Sequence, residues 1–259
     1  VFKLNGSALN NWGDKYTDRE LTGVAQQIGS KLVLTDTLTY KKDSVALYDG
    51  AFRIQKEDGK VIKVVDYPLY FRNVAKEKLP KEESKIYTWS ANLSQSINPG
   101  WVILLTPLVV AFFTFLRSRK KEPSTPTKIA FGLLISALSV LVMVAAVHIG
   151  NNGAEKVSVW WLVANYGVIT IGELFLSPMG LSVVSKLSPK NITSLMMGGW
   201  FLATSIGNKL SGVLASMWDS YENKANFFWI NFSLLLFATL LMFALVKELN
   251  KVMKEKGIN

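Results

Sequence analysis

Glu173 is the only charged residue between Val157 and Val184, a stretch otherwise made of Val, Leu, Ile, Trp, Tyr, Phe and small residues. A run that long and that apolar reaches the roughly 20 residues needed to cross a bilayer. A carboxylate inside such a helix costs several kcal/mol, so it should face a bundle interior or a wet cavity. The bland alternative is a protonated carboxyl hydrogen-bonded to a neighbouring helix. An ionisable group at membrane depth is functional by default, able to hold a cation or pass a proton. Ser177 lies four residues on and Tyr166 seven residues back, on one stripe of the helix. Pro178 removes a backbone donor and should loosen the helix near Leu174. Carboxylate, hydroxyl and helix break together suit a polar binding site within the membrane.

A second wall comes from Met196-Met197-Gly198-Gly199-Trp200. The glycines suit close helix packing. Counted from Lys186 and Lys190, Glu173 and Trp200 lie within about 5 Å in depth, so carboxylate and indole could border one cavity. Lys209 either snorkels or forms a gating ion pair. Asn98 and Asn208 could bind substrate or hydrogen-bond a neighbouring helix.

The elements that must position these groups follow from the apolar runs. Besides 157–184, four more runs meet or approach spanning length: Ile97 to Leu116, Ile129 to Ile149, Thr193 to Trp218 and Ala225 to Val246. The net charge of +10 sits beside these runs and not in aromatic-interleaved patches, which favours lipid over nucleic acid. Arg117 to Lys121, Lys186 with Lys190, and Lys247 to Lys256 mark the cytoplasmic loops, leaving the polar region before the first full span outside. There is no cysteine and one histidine, His148, so disulfides, thiolate sites and a His-rich metal site are excluded. The chain starts at Val1 with no methionine or signal pattern, as a fragment or processed chain would.

Residues 14–95 read as a small β-rich insert on the extracytoplasmic side. Ala51 to Lys56 alternates apolar and polar, Asp58-Gly59 supplies turn chemistry, and Val61 to Val65 returns. Asp49-Gly50 follows another strand candidate, Val45 to Tyr48, and Lys31 to Leu38 is a third. Pro80 to Lys85 reads as a solvated linker. No catalytic constellation is visible there.

Gly172-Glu173-Leu174-Phe175-Leu176-Ser177-Pro178-Met179-Gly180, then Lys186-Leu187-Ser188-Pro189, then Met196-Met197-Gly198-Gly199-Trp200-Phe201 and Gly207-Asn208 closely resemble the proton-coupled oligopeptide transporter family (POT, or PTR) of the major facilitator superfamily. Gln95 to Pro99, Pro123 to Lys128 with Gly132-Leu133, and Gly6 to Asn10 extend the resemblance backward. The resemblance implies an all-α membrane protein, specifically the C-terminal six-helix half with its first helix partial. Residues 1–13 would end helix seven, 14–95 form the insert, 96–247 hold helices eight to twelve, and 248–259 form a cytoplasmic basic tail. It further implies that Glu173, assisted by Asn98, receives a peptide's amino terminus, while Ser177 and Trp200 line the same cavity.

The implied activity is proton-coupled symport of di- and tripeptides by alternating access, in a bacterial inner or plasma membrane. Protons would be the coupling ion, with no other cofactor or metal, and the partners would be the lipid bilayer and an absent N-terminal half. Leu4 and Asn5 replace the family's polar pair before the helix-seven Gly-Ser, which places proton coupling there in question. The competing readings are a carrier of another substrate on the same fold and a membrane anchor displaying the insert to a partner. Glu173 argues against an anion carrier. An enzyme is the weakest reading, because no nucleophile–base pair emerges.

Overall fold

The computed structural model describes residues 8–255 apart from 33, 50–53, 91–92 and 190, and only the backbone at 94–95, 177–179, 186 and 219. Its helices are α1 (Ala8–Lys15), α2 (Gly23–Lys31), α3 (Ser94–Ser118), α4 (Thr125–Ile149), α5 (Val159–Leu187), α6 (Thr193–Ser216) and α7 (Lys224–Glu255). Sequence chemistry sets several of their ends. Ser124 caps α4, its hydroxyl accepting the Thr127 amide at 3.4 Å, with Pro126 in the first turn, where no backbone donor is missed. Ser158 caps α5 in the same way through the Trp160 amide, at 3.4 Å. The motif residues Leu4 to Ser7 lie outside the described residues.

Among the described residues four helices, α3, α4, α5 and α7, are long and apolar enough to cross a membrane. The fifth apolar run forms a helix of 24 residues, α6, but is not among these four. Gly198, Gly199, Gly207, Gly212, Thr204, Ser205, Asn208, Lys209 and Ser211 dilute its apolar character. Only 6% of the apolar window of α3 is buried, and Ile103 is 74% exposed. Apolar faces that open require cover by lipid or by more protein.

The core lies among α1, α4, α5 and the start of α7. Trp12, Tyr16, Trp218, Phe227 and Phe228 are buried there together. Trp12 stacks on Tyr16 with ring centroids 4.7 Å apart and meets Trp218 edge-on at 6.3 Å. Trp12 also meets Phe228 of α7 edge-on at 6.2 Å, and such pairs, worth about 0.5–1.5 kcal/mol beyond the area they bury, tie the short α1 to α7. Pro99 and Pro107 both lie inside α3, so two of its turns lack a backbone donor.

Between α1 and α3, strands β2 (Thr35–Thr39) and β7 (Lys85–Trp89), β3 (Asp43–Ala46) and β6 (Lys63–Asp66), and β4 (Lys56–Glu57) and β5 (Lys60–Val61) form three antiparallel pairs. Asp58 at φ 49° and Gly59 at φ 75° make the two-residue turn between β4 and β5, a left-handed pairing that Asp-Gly tolerates best. The strand expected from Lys31 begins only at Thr35, because the helical pattern of α2 runs to Lys31. The linker expected at Pro80 to Lys85 ends where β7 begins. Residues 51–53 of another expected strand lie outside the described residues. Tyr70, Phe71 and Ile86 form a small core, with Tyr40 stacked on Tyr67 at 4.2 Å beside it.

This segment is fastened to the helices at one end. β1 (Thr17–Asp18) pairs in parallel with β8 (Val157–Ser158), just before α5. Asn73 Nδ2 donates to the Lys15 carbonyl at 2.9 Å and to the Gly153 carbonyl at 3.2 Å. Arg19, only 8% exposed, pairs with Asp14 at 2.8 Å and donates to the Trp89 carbonyl at 2.6 Å.

Candidate functional site

Glu173 lies near the middle of α5 and is half-buried. Asn98, in the first turns of α3, donates from Nδ2 to Glu173 Oε2 at 3.3 Å. One turn on, Trp101 Nε1 donates to the Val163 carbonyl at 3.0 Å while its ring rests against Gly167. Tryptophan thus locks α3 to α5 beside the Asn98–Glu173 contact. No motif reading singled out Trp101; its position one turn after Asn98 was the available signal.

The backing of Glu173 is set by its neighbour. A Cβ at Gly172 would lie 2.8 Å from the Gly132 carbonyl oxygen and 3.1 Å from the Ser136 amide, so α4 and α5 meet backbone to backbone there. Ser136 turns its hydroxyl onto the Gly132 carbonyl at 2.8 Å, within α4. This close approach fixes the rotation of α5 about its axis and aims the Glu173 face toward α3. A carboxylate with one oxygen engaged by an amide keeps lone pairs on the other for a cationic donor.

The remaining expected residues fall in different places. Trp200, 37% exposed, packs its ring on Gly180 of α5, seven residues beyond Glu173. Gly180 lies about 10 Å along α5 from Glu173, so the tip of the indole rests about two turns beyond the carboxylate. Tyr166 is fully buried in the core, and its hydroxyl has no hydrogen-bond partner among the described residues. Ser177 and Pro178 lie within α5, but their side chains are outside the described set. Asn208 and Lys209 are exposed on α6, where no residue is buried. The structure therefore brings Asn98 and Glu173 together, sets Trp200 against α5, and leaves Asn208 and Lys209 apart. Among the described residues no grouping of His, Asp or Glu could hold a metal ion.

Comparison with known proteins adds a second line. A family model described as the POT family matches residues 82–230. Dipeptide and tripeptide permease A of Proteus mirabilis is 36% identical over 132 residues, 51% of this chain and 26% of that protein. Peptide transporter YePEPT of Yersinia enterocolitica is 40% identical over 121 residues, 46% of this chain and 24% of that protein. The chain thus spans about a quarter of the length of the curated relatives it matches. A solved POT family transporter in complex with a thioalcohol-conjugated peptide is 26% identical, with a TM-score of 0.56 over 70% of this chain and 36% of that one. Another, in complex with 5-aminolevulinic acid, is 21% identical with a TM-score of 0.62 over 96% of this chain and 38% of that one, a likeness of fold alone.

Proposed function

This chain belongs to the POT family, and from that membership we propose that it supplies the C-terminal six-helix half of a proton-coupled symporter for di- and tripeptides. In this reading residues 1–13 end helix seven, α3 to α7 are helices eight to twelve, and an N-terminal half completes the substrate site. The two halves would rock against each other around a midplane site, in alternating access. The polar character of α6 fits a helix that crosses the membrane facing a wet cavity, where Gly, Ser, Thr, Asn208 and Lys209 are tolerated.

The observation that carries the reading is the Asn98–Glu173 contact at 3.3 Å. A peptide's ammonium entering a partly dry cavity loses hydration, which a carboxylate must replace. Asn98 orients Glu173 and occupies one oxygen, leaving the other for the ammonium. Trp200 and Ser177 would line the cavity below, Tyr166 the packed level above, and Asn208 with Lys209 would gate or brace α6. Protons are the only coupling species this needs, and no cofactor enters. The bilayer would be the bacterial inner membrane, with the 14–95 insert outside and the basic tail 248–259 inside.

The experiment is dipeptide binding to the complete reading frame, wild type against Glu173→Gln, with the N-acetylated dipeptide as comparison. Removing one partner of a buried charge pair costs about 2–5 kcal/mol, so free-amine peptide should bind roughly thirty-fold more weakly. The acetylated peptide presents no ammonium and should lose that sensitivity. Free-amine binding within about twofold of wild type would remove the role given to Glu173.

A further inference from the structure

At the end of α3 away from Asn98, a second charged assembly joins two helices. Arg117, in the last turn of α3, donates from Nε to Glu122 Oε2 at 2.7 Å and from Nη2 to Oε1 at 3.1 Å. Lys128, in the first turns of α4, donates from Nζ to Glu122 Oε1 at 2.5 Å. The two limbs differ in kind. The Arg117 side chain is 74% exposed, so its pair is a screened surface contact of little weight. The Lys128 side chain is only 6% exposed, so its charge depends on the carboxylate beside it.

The buried limb reaches a third helix. The Lys128 ammonium lies 4.5 Å from the Phe113 ring centre on α3. Phe113 packs against Phe175 of α5 at 4.8 Å. A Cβ at Gly132 of α4 would come within 2.9 Å of the Phe175 Cβ. Lys128 therefore sits at a junction of α3, α4 and α5, the helices that carry Asn98 and Glu173.

We propose that Glu122 is a positioning residue that clasps α3 to α4 through Lys128, so that α3, α4 and α5 move as one body during transport. This rests on the transport reading above. Hydrogen bonds from Arg117 and Lys128 pull the Glu122 carboxyl down to about 2. It is ionised at any physiological pH, which makes it a fixed charge and not a proton carrier. Without it the Lys128 ammonium must reach water, and it can do so only by leaving the Phe113 ring and loosening α3.

The test uses the complete reading frame, with spin labels at Ser118 and Thr125 and any cysteines outside this chain replaced. Glu122→Gln keeps the shape and removes the charge. It should broaden the label distance distribution and lower the maximal uptake rate about tenfold or more, with KM within about threefold. Glu122→Asp should retain more than about half the rate, and Glu122→Gln with Lys128→Met should restore both readouts, because no buried ammonium remains unpaired. Unchanged distances in Glu122→Gln, or a rate loss that Lys128→Met does not relieve, would overturn the proposal. If the wild type takes up no peptide while Glu122→Gln still broadens the distances, the transport reading falls and the clasp is structural only, which overturns the positioning role.

Discussion

Two charged side chains in this protein are held by very different means. Glu173 is served by an amide from the neighbouring helix, which engages one of its two carboxylate oxygens. Lys156, in the segment before α5, is enclosed instead. Its ammonium lies 4.1 Å from the Tyr70 ring centre and donates to the Lys15 and Thr17 carbonyls at 3.3 and 3.4 Å. Burial, and then the Arg19 guanidinium, lower it to about 7, against upward pulls from Asp18 and Asp14. An unfolded chain keeps this lysine protonated to near pH 10.4. Between about pH 7 and 10 the unfolded state therefore binds more protons, and stability attributable to Lys156 rises with pH. Below pH 7 both states are protonated and the burial penalty is fully present. Wild type should thus gain on Lys156→Met in melting temperature as pH rises through 7 to 9, measured on detergent-solubilised protein. A difference that does not change with pH would show that the folded lysine titrates normally.

At the scale of elements, the contact of α4 with α5 beside Glu173 depends on Gly172 having no side chain. Gly172→Ala places a methyl against the Ser136 hydroxyl, which could rotate away, and against the Gly132 carbonyl and Ser136 amide, which are backbone and could not. Overpacking of this kind costs about 1–3 kcal/mol. Gly198→Ala on α6 meets nothing within 4 Å and serves as the control. Thermal melting should show Gly172→Ala clearly below wild type and Gly198→Ala close to it. Equal melting temperatures for the two variants would mean that the helices separate there at no cost. Because the same contact sets the rotation of α5, Gly172→Ala should also disturb the Asn98–Glu173 spacing.

Over the whole molecule, the β1–β8 pairing puts the 14–95 segment at the end of α4 where residues 150–158 lie. Lys120 lies before the opposite end of α4, which at 25 residues is about 37 Å long. The two regions therefore lie toward opposite ends of α4. Single cysteines at Asp58 and Lys120 in the complete reading frame should react differently with an impermeant thiol reagent, Asp58 being labelled in intact cells. Labelling at Lys120 and not at Asp58 would invert the proposed orientation.

Hydropathy and local residue chemistry were enough to mark the apolar helices and the Asp58-Gly59 turn, because each depends on neighbours within about one turn or one hairpin. The family motif along α5 and α6 was legible for the same reason, being a linear pattern. Contacts between distant residues were not. Nothing local to Thr17 or Val157 announces a parallel pair between them, nor does the sequence near Tyr166 say that its hydroxyl will be sealed in the core. Nor can loop counting say where an indole ends; the tip of the Trp200 ring packs on Gly180. Glu122 was equally silent, a lone acid among basic loop residues, until folding carried Lys128 beneath Phe113. Amphipathic pattern decides which segments become helices, but only chain closure decides which faces meet, since pairing energies are spent between residues the sequence holds far apart.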